Sequence, residues 1–362
     1  MSENTKINWY RCKVDKAVMS ELMKSSDWLG LRQCVLQLGL FIVTTSVTYA
    51  AWLHIDKTNW LWMVPVFLVL LFIHGTLSNF LGLGGPGHEL SHKTPFKSKG
   101  LNEFFLKIYG FLSWTDVVGF RPSHVKHHQV TVHHGLDGEV VLPQSINLRD
   151  WRFLLWAFGF NYLGAYNSVK DFVKRSRGII EFPWYDEVMP KSNTKIRDEH
   201  KKWARQCLAA HIILATIFIA TGNWPLVFLV NFGAFWFGWL SILCGLPQHM
   251  GMQPDVPDFR RCCRSYTCSW LPAFLYWNMQ YHVEHHMFPA VPFYNLPKLR
   301  KAIENDLPPV THGLWATWKE IFDTLEKQKA DPNYFHAPPI PSQSTGECVD
   351  DEILEAEAAA RA

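Results

Sequence analysis

Four apolar runs set the strongest limit on what this chain can fold into. A helix that crosses a bilayer needs about 20 predominantly apolar residues. Four stretches of the 362-residue chain approach or reach that length: residues 35–53, 60–83, 203–221 and 224–247. We therefore predict an all-α membrane protein with four transmembrane helices.

Two short polar turns divide the four runs into pairs. Residues 54–59 join the first pair, and Gly222 and Asn223 join the second, so the sequence predicts two helical hairpins. Of the 35 Lys and Arg residues, only Lys57 then falls in a turn on the far side of the membrane. Because an excess of Lys and Arg marks cytoplasmic loops, the large polar side is predicted to be a cytoplasmic helical cap.

The predicted domain boundaries follow these runs. Residues 1–34 form a cytoplasmic N-terminal segment and residues 35–326 form the membrane domain. Residues 327–362 are rich in proline and end in an acidic, alanine-rich stretch, so they are predicted to be a disordered tail. Two semi-apolar stretches, 101–120 and 151–166, contain polar residues and are predicted to be helices that lie in the membrane interface.

Composition supports a membrane setting and narrows the partners. The 17 Trp and 25 Phe residues suit a chain that lies across two membrane–water interfaces. A net charge of +3 without a basic stripe interleaved with aromatics argues against nucleic acid. The eight cysteines lack a regular spacing, which favours reduced thiols. The sequence has no glycine-rich dinucleotide motif and no cytochrome-like or flavin domain, so redox chemistry would need electrons from another protein.

Three histidine boxes carry the chemical signal. On a helix, residues three and four apart share a face, so an HxxxH box offers two imidazoles to one point, and an HxxHH box adds a third beside them. The boxes are His88-Glu-Leu-Ser-His92, His124-Val-Lys-His127-His128 and His282-Val-Glu-His285-His286, and His249 follows the fourth run. All of them lie on the predicted cytoplasmic side.

The number of these histidines predicts two metal ions. A zinc site takes four ligands, so eight or nine imidazoles exceed the needs of one metal. Imidazole suits iron, zinc, copper and nickel, and ligand type alone therefore leaves the metal open. The remaining histidines are expected not to bind metal: His54, His74, His133, His134, His200, His211, His312 and His336.

These boxes, together with the paired apolar runs, resemble the integral-membrane fatty acid desaturase and hydroxylase superfamily. The stretch from Asn278 through the third box to Phe288-Pro, and the segment that follows it, strengthens the resemblance, which covers roughly residues 35–310. The resemblance implies a non-haem diiron centre that activates O2 with two external electrons and removes hydrogens from an aliphatic C–H position of a lipid. The electron donor would be a ferredoxin or a cytochrome b5. By position, the iron ligands would be His88, His92, His124, His127, His128, His249, His282, His285 and His286.

Other residues are candidates for supporting roles. A metal-bound histidine usually donates its second N–H to a carboxylate or a carbonyl, and four acids near the boxes could accept it: Glu89, Asp137, Glu139 and Glu284. Asn278 lies one turn before His282 and could orient it or a water molecule. Four tryptophans could line a substrate tunnel or face the bilayer: Trp114, Trp236, Trp239 and Trp277.

Three alternatives remain open from the sequence. Within the same superfamily, a hydroxylase or ketolase acting on a lipid, a carotenoid or a small metabolite competes with a desaturase. His88-Glu-Leu-Ser-His92 also fits the HExxH motif of a zinc protease, with Asp137 as a further ligand, but that interpretation leaves six box histidines unexplained. A metal transporter needs polar residues within its spans, and these runs contain few.

Overall fold

The computed structural model describes residues 7–349 except positions 143, 145, 148, 149 and 343, and it is predominantly helical. The helices are α1 (Lys16–Leu22), α2 (Asp27–Leu53), α3 (Trp60–Ser78), α4 (Pro86–Ser91), α5 (Lys99–Leu112), α6 (Val117–Val130), α7 (Trp151–Phe158), α8 (Tyr162–Ser176), α9 (Pro183–Val188), α10 (Thr194–Ala220), α11 (Trp239–Gly245), α12 (Phe259–Cys262), α13 (Trp270–Leu275), α14 (His282–Met287), α15 (Leu296–Ile303) and α16 (Gly313–Ala330). The strands are β1 (Trp9–Arg11), β2 (Tyr266–Thr267), β3 (Thr311–His312) and β4 (Glu347–Val349). β2 pairs with β3 in parallel, and β1 pairs with β4 antiparallel.

Three helical segments of the described chain are long and apolar enough to cross a membrane. They are Asp27–Leu53, Trp60–Ser91, which includes α3 and α4, and Thr194–Ala220. Side-chain caps fix where two of them begin: the Ser26 hydroxyl accepts from a first-turn N–H of α2, and the Asn193 side chain does the same for α10. These segments support a membrane protein.

The fourth apolar run does not form one helix, which corrects the prediction of a continuous span over 224–247. It contains a π-helical stretch at Val227–Asn231, a 3₁₀ turn at Gly233–Phe235 and the short helix α11. The structure therefore offers three candidate spans among its described residues.

Neighbouring segments satisfy the backbone groups that this break releases. The Trp114 indole N–H donates to the Asn231 carbonyl at 2.6 Å, and the Phe237 N–H donates to the Gly159 carbonyl at 2.9 Å. Phe237 also has a positive φ of 47°, which ends any regular helix there. Broken backbone at membrane depth is tolerated only where protein or a water-filled cavity surrounds it, and this segment meets that condition through its protein partners.

The two predicted interfacial stretches are helical. Residues 101–120 lie in α5 and the start of α6, and residues 151–166 lie in α7 and the start of α8. The second stretch leaves Trp151, Phe158 and Tyr166 more than half exposed, as a helix lying against an apolar phase would. Their position in the membrane interface stays a prediction.

The two ends of the described chain meet beside the third histidine box. Trp9 of β1 stacks on Phe259 with ring centroids 4.0 Å apart, and the Phe259 ring lies 5.4 Å from that of His286. The predicted boundary at residue 327 falls inside α16, and the pairing of Glu347–Val349 with β1 departs from the expected disorder of that region. Residues 350–362 of the predicted tail lie outside the described residues.

Candidate metal centre

The first box lies on α4, a short helix that begins at Pro86. His88 and His92 are four residues apart, so their rings face the same side and their centroids are 5.2 Å apart. The Asn102 side chain of α5 donates to the Leu90 carbonyl at 2.8 Å and ties the box to its neighbour.

The second box occupies the last turns of α6 and points in two directions. His124 and His128 share a face, with their Nε2 atoms 3.1 Å apart. His127 lies beside them on the helix, and its Nδ1 contacts the Asp137 carboxylate at 2.8 Å. One helix thus contributes imidazoles to two separate positions.

The third box repeats this division on α14. His282 and His286 share a face, with their Nε2 atoms 3.0 Å apart, and His285 points elsewhere. His249 joins the first pair, because its Nε2 lies 2.9 Å from Nε2 of His282.

The nine histidines converge as two adjacent groups. The five-histidine group has ligand atoms within 4.8 Å of one another and comprises His88, His92, His124, His128 and His285. The four-histidine group comprises His127, His249 and His286, which meet the same distance limit, and His282, which contacts two of them at about 3 Å. Each HxxHH box therefore gives its i, i+4 pair to one group and its middle histidine to the other.

The donor atoms of this cluster fit metal ions. Both ring nitrogens of His88 and of His285 are buried without a hydrogen-bond partner among the described residues, and so are Nε2 of His92 and Nδ1 of His128. Buried polar atoms without partners are costly, and so many in one place indicate that a ligand absent from the protein chain completes them.

Burial also keeps most of these imidazoles neutral. It lowers the pKa of six of them well below the ordinary value of 6.5, and neighbouring histidines lower it further: His92, His124, His128, His282, His285 and His286. A neutral imidazole has the free lone pair that a metal requires.

Three carboxylates lie against the rings. Asp137 contacts His127 at 2.8 Å and Glu139 contacts His124 at 2.9 Å, each at Nδ1. Burial alone would raise the pKa of Asp137, but the charge and hydrogen bond of His127 hold it below the usual 3.8. Oε1 of Glu89 lies 3.4 Å from Nδ1 of His88 in the first box and 3.4 Å from Nδ1 of His285 in the third box.

Two predicted supporting residues bond to groups other than the rings. Glu284 accepts from the Ser265 hydroxyl at 2.5 Å and from Arg300 at 2.8 Å, and no described imidazole is among its hydrogen-bond partners. Asn278 donates to the Phe293 carbonyl at 3.1 Å and likewise does not contact His282 by hydrogen bond. Neither side chain is therefore a direct hydrogen-bond partner of a box histidine among the described residues.

Two partners of the rings were missed from the sequence. The Cys262 carbonyl lies 3.0 Å from Nδ1 of His249, and the Thr131 hydroxyl lies 3.2 Å from Nδ1 of His286. A backbone carbonyl carries no sequence signal. Thr131 carries a weak one, since it lies one turn after the second box.

The histidines expected not to bind metal lie outside both groups. Those that are buried have protein partners instead: His200 contacts Asp116 at 2.6 Å, and His211 contacts the Phe111 carbonyl at 3.0 Å. His134, next to the second box, contacts the exposed Asp255.

A cavity of about 260 Å³ reaches both histidine groups. Histidines on its wall belong to both groups, and Leu83, Phe120, Val140 and Met279 supply apolar surface. None of the four tryptophans for which a tunnel or a bilayer-facing role was left open lines this cavity in the described structure. Trp277, for example, is fully buried and donates to Gln37 at 2.7 Å.

Comparison with known proteins agrees with this geometry. The fatty acid desaturase family model matches residues 60–318. The chain is 25% identical over 281 residues to a putative sphingolipid delta(4)-desaturase/C4-monooxygenase of Caenorhabditis elegans, covering 72% of this chain and 64% of that protein. It is 26% identical over 288 residues to a sphingolipid delta(4)-desaturase/C4-monooxygenase of Mus musculus, covering 76% of each. The protein from Bos taurus with the same description is 26% identical over 249 residues, covering 65% of this chain and 67% of that protein. Since the family model matches more than half of the sequence, the chain belongs to the fatty acid desaturase family.

Proposed function

We propose that this protein is a membrane-bound, O2-dependent diiron oxidoreductase that acts on an aliphatic C–H bond of a lipid. The observation that carries the proposal is the division of nine buried histidines into adjacent groups of five and four. Each group has enough imidazoles for one metal, and the two HxxHH boxes contribute to both. Family membership supports iron as the metal.

Two bound irons would supply the oxidising chemistry by activating O2 with two electrons from outside the chain. The protein's own contribution is to hold the imidazoles. Asp137 and Glu139 accept from Nδ1 of their histidines, which leaves each Nε2 directed at the centre of the cluster. The apolar walls of the adjoining cavity would exclude water from the reacting carbon.

We infer that desaturation is the main reaction and that hydroxylation is its closest competitor. Both begin with removal of one hydrogen from carbon, so the same site can support either. The relatives' descriptions name both a desaturase and a monooxygenase. The electron donor would be a separate ferredoxin or cytochrome b5.

The proposed topology has two hairpins, with the histidines on the cytoplasmic side. Contacts between the end of α2 and the second turn support it, because the Trp52 and Trp224 rings are 5.5 Å apart and the Tyr49 hydroxyl donates to Asn223. The broken run 224–247 would then return beside α10 as short helical pieces. A tag near Lys57 should be reached only from outside the cytoplasm, and labelling of residue 98 from that side would contradict the topology.

The zinc-protease alternative has little support. Asp137, the further ligand that it requires, contacts Nδ1 of His127. His88 and His92 lie in one group with three more histidines.

The test is lipid mass spectrometry of cells that express the protein beside cells that express His285→Ala. We expect lipids two mass units lighter, or sixteen heavier for hydroxylation, only with the unaltered protein and only when a donor is present. Purified protein should contain close to two irons per chain. Saturation at one zinc, with proteolysis and no lipid product, would refute the proposal.

A further inference from the structure

A second cavity, of about 860 Å³, lies away from the histidine cluster and has a cationic wall. Five basic side chains and a single carboxylate, Glu103, line it. The basic residues are Lys24, Lys93, Lys97, Lys99 and Arg121. Such an excess of positive charge around a concave surface favours an anionic ligand.

Acids neutralise only part of this charge, and Lys24 already pairs with Glu21 beside the cavity. Arg121 donates to Glu103 at 2.6 Å and to the Ser91 carbonyl at 3.2 Å. Lys93 and Lys97 form no ion pair within 4.0 Å with any described residue. Lys93 also has a positive φ of 61°, a conformation that is uncommon for a residue with a side chain.

The first turn of α5 adds to the positive potential. This 14-residue helix begins at Lys99, and both Lys99 and Asn102 of its first turn line the cavity. The N-terminal end of a helix carries partial positive charge and favours anions. The helix end and the lysines therefore both make the potential in the cavity more positive.

The location of the cavity indicates the source of the anion. Met23 and Ser26 of the wall immediately precede α2, the first candidate span, and Lys93 and Phe96 follow the second candidate span, which ends at Ser91. The cavity thus lies where two candidate spans end, and if both spans cross the membrane it would face the lipid head groups. Met23 and Phe96 add apolar surface beside the charges, which suits the start of an acyl chain better than a free anion.

The basic cavity is separate from the cavity of the histidine cluster. Adjacent residues of α6 divide them, because Phe120 lines the histidine cavity and Arg121 lines the basic one. We propose that the basic cavity binds the anionic phosphate head group of a membrane lipid. This proposal requires a membrane setting but neither iron nor turnover.

The test uses the full chain, purified in neutral detergent and freed of lipid, with bound lipids counted by native mass spectrometry. Phosphatidic acid should bind tightly and phosphatidylcholine weakly. Lys93→Gln/Lys97→Gln should weaken binding of phosphatidic acid about 30-fold, given the usual contribution of a lysine beside an anionic lipid. Glu103→Gln should strengthen it several-fold, because Arg121 loses its competing carboxylate.

The matched control is Lys319→Gln/Lys329→Gln, which removes two exposed lysines of α16 that pair with acids. It should leave binding unchanged. If the double variant of the cavity fails to fold, Lys97→Gln and Glu103→Gln still provide opposite expected shifts. Equal phosphatidic acid affinity in all folded variants would overturn the proposal.

Two further outcomes would assign the site to another ligand. Inorganic phosphate should not displace the lipid at millimolar concentration; if it does, the cavity is a site for soluble phosphate. If Lys93→Gln/Lys97→Gln binds phosphatidic acid normally but loses binding of an acidic electron-donor protein, the basic cavity is part of a protein-binding surface. Because the assay measures no oxidation, its failure would leave the proposed enzyme activity untouched.

Discussion

Asp137 offers a test of whether the two histidine groups hold separate metals. Its Oδ2 contacts Nδ1 of His127 and accepts the Val132 N–H, each at 2.8 Å, and its Oδ1 accepts the Glu139 N–H at 2.9 Å. Asp137→Asn keeps the size of the side chain but replaces one acceptor oxygen with a donor. The asparagine therefore cannot accept from the His127 ring and from both backbone N–H groups, of Val132 and Glu139. Either the His127 ring loses its fixed orientation, or the backbone of residues 132–139 loses a hydrogen bond.

The expected magnitude follows from these contacts. Loss of a carboxylate behind a ligating histidine typically costs 10- to 100-fold in metal affinity, which is about 1.4–2.7 kcal/mol. His127 belongs to the four-histidine group, so the loss should fall on one metal. Under limiting iron, the content should drop from near two toward one per chain, while the unfolding free energy falls by about 1–3 kcal/mol.

The assay is iron content per chain over a range of free iron, measured beside thermal unfolding in detergent. Asp255→Asn is the matched control, because Asp255 also contacts a histidine, His134, but is exposed and outside the cluster. It should retain both irons. If Asp137→Asn binds iron as the control does, the carboxylate does not support a ligand and the reasoning is wrong.

Three further predictions concern activity and stability. His285→Ala should abolish lipid oxidation and reduce iron content, whereas Glu89→Gln, which keeps every imidazole, should retain about 1–10% of the activity; equal loss in both variants would contradict the ligand assignment. Gly84→Leu should reduce turnover of long-chain substrates at least about tenfold and leave the iron content unchanged. A Cβ at this position fits, since its nearest neighbour would be 3.6 Å away, and the rest of the leucine side chain would occupy the histidine cavity. Unchanged turnover would show that the substrate does not use this cavity. Asp116→Asn should lower the thermal midpoint of unfolding at pH 7. Burial alone would raise the pKa of Asp116, but His200 holds that pKa below 3.8, so the carboxylate stabilises the fold above pH 3.8 and ceases to do so as the pH falls further. A difference in midpoint between the variant and the unaltered protein that grows in acid would refute this sign.

Helical spacing accounts for most of what the sequence could predict about the site. The i, i+4 positions of each box predicted pairs of imidazoles on one face, and such pairs are present at His124–His128 and His282–His286. The same spacing explains the error at Glu284. It lies two residues after His282, on the opposite face of α14, and reaches Ser265 instead.

Hydropathy could not predict that the fourth apolar run, residues 224–247, is broken into short helical pieces. An apolar run reports that side chains avoid water, but it does not report where the backbone hydrogen bonds go. The partners that hold the broken backbone, such as Trp114 and Gly159, come from distant parts of the chain. Composition failed at residues 347–349 for the same reason, since the strand forms only by pairing with residues 9–11.

The pairing of β1 with β4 has a consequence for biosynthesis. All nine candidate ligands have been synthesised once residue 286 is made, but β4 ends at Val349 and β1 lies near the start of the chain. Trp9, which packs on Phe259 beside the third box, is therefore held by a strand made late in translation. We expect the nascent chain to assemble its histidines first and to gain this cover only after residues 347–349 have left the ribosome, which leaves an interval in which metal can enter.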